Sequence, residues 1–229
     1  MTEFFTKYYE TIIESGYYKM LLDGLLNTVI ITLGALAIGV VIGTVISLIK
    51  YFAEDTPVLK PLSILCEIYT TVIRGIPVVV LLLIFYFVVF ASSDNGVMVA
   101  ILTFGINSGA YMAELIRGGI QSVDKGQMEA GRSLGMSKMQ AMLKIILPQA
   151  VRYILPAIGN EMIALLKETS VAGYVAVVDL TKAGDMIRNI TYDPLNPLLT
   201  VALTYLAMVV TLTVLLRMVE KRLAKSDKG

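Results

Sequence analysis

An all-α integral membrane protein with five transmembrane helices follows from three features of the sequence. These are an apolar composition, five apolar stretches of spanning length, and one polar insert with helix-start signals. Of the 229 residues, 56% are hydrophobic and 16% charged, and the mean hydropathy is +0.76, outside the balance of a soluble domain. A helix needs about 20 apolar residues to cross the hydrocarbon core. Residues 21–49, 62–90, 97–116, 150–178 and 198–217 meet that requirement, and residues 122–148 do not.

The first twenty residues place acids among aromatics and lack a small-residue cleavage site, so they read as an interfacial segment rather than a cleaved leader. Phe4, Phe5, Tyr8, Tyr9, Tyr17 and Tyr18 supply the rings that settle at headgroup level. The second stretch is interrupted by Arg74-Gly75-Ile76-Pro77. Proline removes a backbone hydrogen bond there, so one bent span is expected, with two short segments as the alternative.

Basic residues set the orientation. Arg117, Lys125, Arg132, Lys138, Lys144 and Arg152 cluster around the insert, and Lys221, Arg222, Lys225 and Lys228 crowd the C-terminal end. The 92–96 turn has none, so the insert and the C-terminus face the cytoplasm and five spans put the N-terminus outside. Residues 174–197 fit this less comfortably, because Asp179, Lys182, Asp185, Arg188 and Asp193 then lie on the outer side.

Composition also excludes function classes. The chain has no histidine and a single cysteine, Cys66. That removes the usual proton shuttle, any internal disulfide and any cysteine metal site, and it leaves Cys66 as a packing residue. The net charge of +1 offers nothing to a nucleic acid. There is no G-x-x-x-x-G-K-[ST] phosphate loop, so ATP, if used, is handled by another chain.

Within the insert, Asp124 to Gln127 and Ser137 to Gln140 both fit a capping box, which implies two short helices. Gly135 lies between them where a left-handed residue is wanted, and Pro148 marks the turn into the next span. Met139, Met142, Leu143 and Ile146 fall on one face of the second helix, and Glu129 and Arg132 are spaced for an ion pair. Physically this is either a hairpin resting on its own membrane or a docking element for a cytoplasmic partner.

Glu129-Ala130-Gly131, then Gly135, then Ile145, Leu147 and Pro148 resemble the EAA loop of ABC-importer permeases in residue type and spacing. Gly131 departs from the second alanine of that pattern, and Ile76 departs from the threonine of an R-G-T-P stretch. Residues 73–77, 107–120 and 165–170 are similar to the corresponding stretches of the polar amino-acid uptake subfamily, the histidine/glutamine/arginine/cystine type.

This resemblance implies a type I ABC importer permease fold, a single permease domain over residues 1–229, and location in a bacterial-type cell membrane. It also implies two ATPase subunits, a second permease subunit of the same or a related chain, and an extracellular substrate-binding protein. No cofactor is expected on this chain, since ATP and magnesium belong to the ATPase. The residues expected to dock the ATPase are Glu129, Ala130, Gly131, Ser133, Leu134, Gly135 and Met136. Gly131 is expected to preserve close approach to the partner's groove.

Charges at membrane depth are costly unless they face a cavity or a partner. Glu161 lies near the middle of the fourth stretch, too deep to reach a surface easily. With Asn160 it is the candidate for a substrate ammonium. Arg74, with Tyr69, Thr70 or Ser108, is the candidate for the carboxylate end. Tyr111 shares a face of the third stretch with Asn107 and Glu114 and joins that set. Arg74 has a second reading as a clamp on the bend, and Glu114, Lys167 and Glu168 have second readings as interfacial or paired charges. A different function class, an ion-coupled transporter of a small polar solute working through Glu161 and Glu168, stays open on the intramembrane charges alone.

Overall fold

The computed structural model describes residues 6–225; Phe4, Phe5 and Lys228 lie outside them. Among the described residues the chain is helical throughout, with no strand. In order, it forms α1 (Tyr18–Ala53), α2 (Lys60–Gly75), α3 (Val78–Ile84), α4 (Gly96–Gln121), α5 (Lys125–Ser133), α6 (Lys138–Ala141), α7 (Leu147–Glu168), α8 (Leu180–Thr191) and α9 (Leu195–Lys225). Among the described residues four helical runs are long and apolar enough to cross a bilayer: Tyr18–Ala53, Gly96–Gln121, Lys138–Val175 and Leu195–Leu223. Pro57–Gly75 with Val78–Val89 makes a fifth when the broken pair is taken as one span. At 1.5 Å per residue α1 is about 54 Å long, well beyond the hydrocarbon thickness, so it projects past the core or tilts within it.

The second span is broken rather than smoothly bent. Helix α2 stops at Gly75, and α3 restarts at Val78 behind Pro77, whose ψ of 134° is not helical. The proline ring also pushes the preceding residue, Ile76, out of the helical region. A bend needs only a missing hydrogen bond, whereas this pair of effects ends the helix.

Internal contacts divide the chain into two compact units. The first comprises Met1–Leu36, Ile76–Gly105 and Ile163–Thr213. Its main core gathers Ile31, Leu82, Phe104, Leu165 and Val175. Asn27 Nδ2 donates to the Val178 carbonyl at 2.9 Å, and the Thr28 hydroxyl accepts from the Leu180 amide at 3.1 Å, which fixes the chain entering α8. Helix α8 buries Leu180, Ala183, Gly184 and Ile187, an i, i+3, i+4, i+7 stripe, against Ile12, Leu21 and Val201. Tyr8 and Tyr17 pack beside that cluster, while Tyr9 and Tyr18 are exposed.

Asp179 and Asp193 account for two of the awkward charges of residues 174–197. Asp179 is buried as the N-cap of α8 and accepts from the Thr181 and Lys182 amides, both at 3.0 Å. Burial raises its carboxyl above the usual range, against the opposing pull of those amide bonds. Asp193 does the same for α9 through the Leu195 and Asn196 amides and takes Lys7 at 3.6 Å. Burial alone would raise the Asp193 carboxyl, but the bonds from Asn196 and Leu195 and the Lys7 charge outweigh it and lower it.

The second unit comprises Ala37–Gly75, Ile106–Met162 and Val214–Gly229. Here α1 and α4 pack with almost no gap: a Cβ on Gly39 would sit 2.8 Å from Ser108 Oγ, and one on Gly43 would run into Met112. Small residues four apart are what close packing of membrane helices requires. Ile46, Cys66 and Ala113 form the adjoining core, with Tyr69 against it. Cys66 is buried there as a packing residue.

Candidate functional site: the polar insert and the intramembrane polar groups

The insert builds itself from local capping. Asp124 caps α5 by accepting from the Gly126 amide at 2.7 Å, and Ser137 and Gln140 form a reciprocal capping box at the start of α6. Only the second of the two expected boxes is complete. Gln127 instead accepts from Gln149 Nε2 at 3.3 Å. Between the helices Gly135 adopts φ +85°, and the Gly135 and Met136 amides return to the carbonyls of Arg132 and Gly131, closing the end of α5. Leu134 stands at this turn with 80% of its surface exposed.

Three expectations for the insert change. Pro148 does not turn the chain into a new helix, because helix runs on from Lys138 through Glu168. A π turn at Met142–Ile146, with the Leu147 amide reaching back to the Met142 carbonyl, lets the chain accommodate a proline that cannot donate. That wider turn also breaks the apolar face: Met142 and Ile146 are buried, while Met139 and Leu143 are exposed. Among the described residues Glu129 and Arg132 form no ion pair.

Gly131 has a packing role of its own. It is buried within the insert, where an added Cβ would lie 2.9 Å from Ile145 Cδ1 and 3.1 Å from Ala141 Cβ. Its small size serves the packing of α5 on the following helix. Of the other expected docking residues, Glu129, Ala130, Ser133, Leu134 and Gly135 are exposed and Met136 is half-buried.

An anchor absent from the sequence reading ties the insert to the end of α1. Lys138 pairs with Asp55, and its ammonium lies 4.6 Å from the ring centre of Tyr51 and 5.7 Å from that of Phe52. The hydrogen bond and charge of Lys138 lower the Asp55 carboxyl. These partners are 83 residues apart, so no local pattern connects them. A cleft of about 470 Å³ opens beside them, lined by Tyr51, Asp55, Asp124, Met128, Glu129 and Lys138 among others.

The intramembrane candidates separate into small groups. Ser108 Oγ donates to Glu161 Oε1 at 3.2 Å, joining α4 to α7. The Arg74 guanidinium lies 5.2 Å from the centre of the Tyr111 ring. Tyr69 donates to the Ile106 carbonyl at 2.5 Å, and Thr70 is buried and donates to the Glu67 carbonyl at 3.0 Å, so both hydroxyl protons are committed to backbone. Asn160 is exposed and donates to the Pro156 carbonyl at 3.1 Å.

Glu114 pairs with Arg117 at 2.6 Å and also with Lys50 at 2.9 Å, and Lys50 reaches Glu67 at 2.5 Å. The pairing of Glu114 with the next turn thus belongs to a larger chain of charges linking α1, α2 and α4. These groups line a cavity of about 330 Å³ with Thr70, Thr71 and Arg74. Ser108 and Glu161 are not part of that lining.

Comparison with known proteins bears on both features. The profile of the family described as "binding-protein-dependent transport system inner membrane component" matches residues 39–225. The chain is 37% identical over 211 residues to the probable glutamine ABC transporter permease protein GlnM of Bacillus subtilis (strain 168), covering 91% of this chain and 95% of that one. It is 34% identical over 210 residues to the arginine transport system permease protein ArtQ of the same organism, covering 90% and 94%. Among solved structures it is similar to one described as an amino acid ABC transporter with histidines, with TM-score 0.83, 39% identity and coverage of 91% and 96%. The MetNI methionine ABC transporter, at TM-score 0.78 and 21% identity, shares the fold over 89% of this chain and 96% of that one. This chain belongs to the family of inner-membrane components of binding-protein-dependent transport systems, permease subunits of ABC importers that span the membrane, bind no cofactor and leave nucleotide to a partner ATPase.

Proposed function

We propose that the chain carries a polar amino acid into the cytoplasm by alternating access, with glutamine or a basic amino acid as the first candidates from the names of its relatives. An extracellular binding protein delivers the substrate. Two ATPase subunits dock on the insert, and a second permease subunit, the same or a related chain, completes the path. The insert and the C-terminus face the cytoplasm and the N-terminus lies outside, as the basic residues around the insert and at Lys221 and Arg222 favour.

On this reading ATP binding draws the ATPase subunits together and moves the turn that presents Leu134. The capped helices pass the motion to α7 through the continuous helix from Lys138, and to α1 through the Lys138–Asp55 pair. The observation that carries the substrate assignment is the Ser108–Glu161 hydrogen bond. It holds a carboxylate at membrane depth, where an ionisable group is retained only for a partner or a path. Glu161 receives the substrate ammonium, and the Arg74 guanidinium beside Tyr111 suits its carboxylate.

Glu161→Gln in the assembled transporter, reconstituted in liposomes with its ATPase and binding protein, is expected to lower uptake by about tenfold or more, the scale of one charged hydrogen bond. Co-purification of the ATPase should be unchanged. Uptake at the normal rate would remove Glu161 from the path.

A further inference from the structure

The outer charges left unexplained by capping are Lys182, Asp185 and Arg188, and all three line one cleft. Its volume is about 390 Å³, and Ser170, Gly173, Tyr174, Thr181 and Leu198 complete it. Asp185 answers both cations, taking Lys182 Nζ at 3.3 Å and Arg188 Nη2 at 2.6 Å, so the three side chains leave one positive charge over. Arg188 Nη2 also donates to Asn189 Oδ1 at 3.2 Å. Arg188 Nε is buried and has no hydrogen-bond partner among the described residues. A buried guanidinium donor without an acceptor costs about 1–3 kcal/mol, so its retention in a cavity asks for an explanation.

The cleft is continuous in its lining with a second cavity of about 290 Å³. The two share Ser170 and Thr181, and the second adds Lys167 and Tyr205. Thr181 donates to the Tyr205 hydroxyl at 3.2 Å, so the hydroxyls are already ordered. The combined wall presents three cations, two hydroxyl-bearing residues of the shared edge and one carboxylate. It is concave, of small-molecule size, and offers an unspent donor on a guanidinium; none of the candidate substrate residues lies in it.

We infer that this cleft is a binding site for the α-carboxylate of a free amino acid, with the Arg188 guanidinium turning its unspent Nε to the ligand and Lys182 supplying charge. The inference rests on the amino-acid reading above. It gives the outer segment a role as a first station for the carboxylate of the substrate, distinct from the residues assigned to the substrate above. Lys167 gains a function in the same step, as the cation at the adjoining cavity.

The test uses the transporter assembled with its ATPase subunits in nanodiscs, without binding protein. L-glutamine and L-arginine, and the α-amide of each, are titrated while the thermal midpoint is read. In wild type the free acid should bind about tenfold more tightly than its amide. Arg188→Gln should weaken the acid about tenfold and leave the amide unchanged. Arg188→Lys keeps the charge near Asp185 but removes Nε, and it should fall between them. Equal curves for acid and amide in wild type, or acid binding unaffected in both variants, would overturn the site and leave a guanidinium solvated by water alone. If instead the variants lose only the stimulation of ATP hydrolysis by added binding protein, the carboxylate belongs to that protein and the inference is wrong. Glu161→Gln separates the two readings: acid binding lost there but kept in Arg188→Gln refutes the cleft alone. No shift by either amino acid in wild type refutes both.

Discussion

Two short charged helices, α5 of the insert and α8 of the 174–197 segment, begin in the same way and end in different trades. Each is capped by an aspartate, Asp124 or Asp179. Asp179 is buried and accepts from two amides, while Asp124 is exposed and accepts from one. Helix α8 seals four residues into a core, whereas the residue α5 buries is Gly131. A helix whose face is committed inward can present only its polar side. A helix held by its ends, by a small packing contact and by Lys138 keeps its tip available to another protein.

The largest effect that would sharpen this contrast is at the buried stripe. Leu180→Ala should cost about 2–5 kcal/mol, the range for emptying a packed aliphatic site. It should lower the thermal midpoint of the purified complex, and a change within error would mean α8 is not held by that stripe. Within the insert, Gly131→Leu should cost about 1–3 kcal/mol by overpacking against Ala141 and Ile145. Gly131→Ala needs a shift of a few tenths of an ångström from Ile145, offset by a helix-propensity gain of up to about 1 kcal/mol, so it should be near neutral. The measurement is the midpoint of each variant, read beside ATPase co-purification.

The caps come next. Asp179→Ala should cost about 1–2 kcal/mol, and Asp179→Asn much less, because asparagine caps without a buried charge. The sign with pH follows from the raised carboxyl. The folded chain holds that proton more tightly, so its contribution to stability falls as pH rises from the ordinary 3.8 through the raised value and is constant above it. Asp193 has the opposite sign: its contribution is present above 3.8 and is lost as pH falls through its lowered value. Because asparagine does not titrate, the midpoints of wild type and Asp179→Asn across that acid range should therefore move apart as pH falls, with wild type gaining on the variant.

What was legible in the sequence was local. Ser137 and Gln140 lie three residues apart and make the box their spacing implies, and Gly135 takes the left-handed turn it alone suits. The π turn before Pro148 was not legible, because proline can end a helix or widen it, and the packing of Met142 and Ile146 decides. Glu161 stood out because ionisable groups are rare at that depth. Its contact with Ser108 spans 53 residues and follows from how α4 and α7 pack. Asn160 shows the limit of adjacency on a helix: one position from Glu161, it points its amide to Pro156 from an exposed face. The charges of residues 174–197 looked anomalous because charge counting treats a capping aspartate and a free one alike.

Leu134 bears most directly on the claim that the insert is held from within and read from outside. Leu134→Asp changes a side chain that is 80% exposed, so the permease should keep its stability within about 0.5 kcal/mol. In liposomes containing the full transporter, amino acid moved per ATP hydrolysed should fall at least about tenfold. Wild-type transport per ATP, with wild-type ATPase binding, would contradict the account.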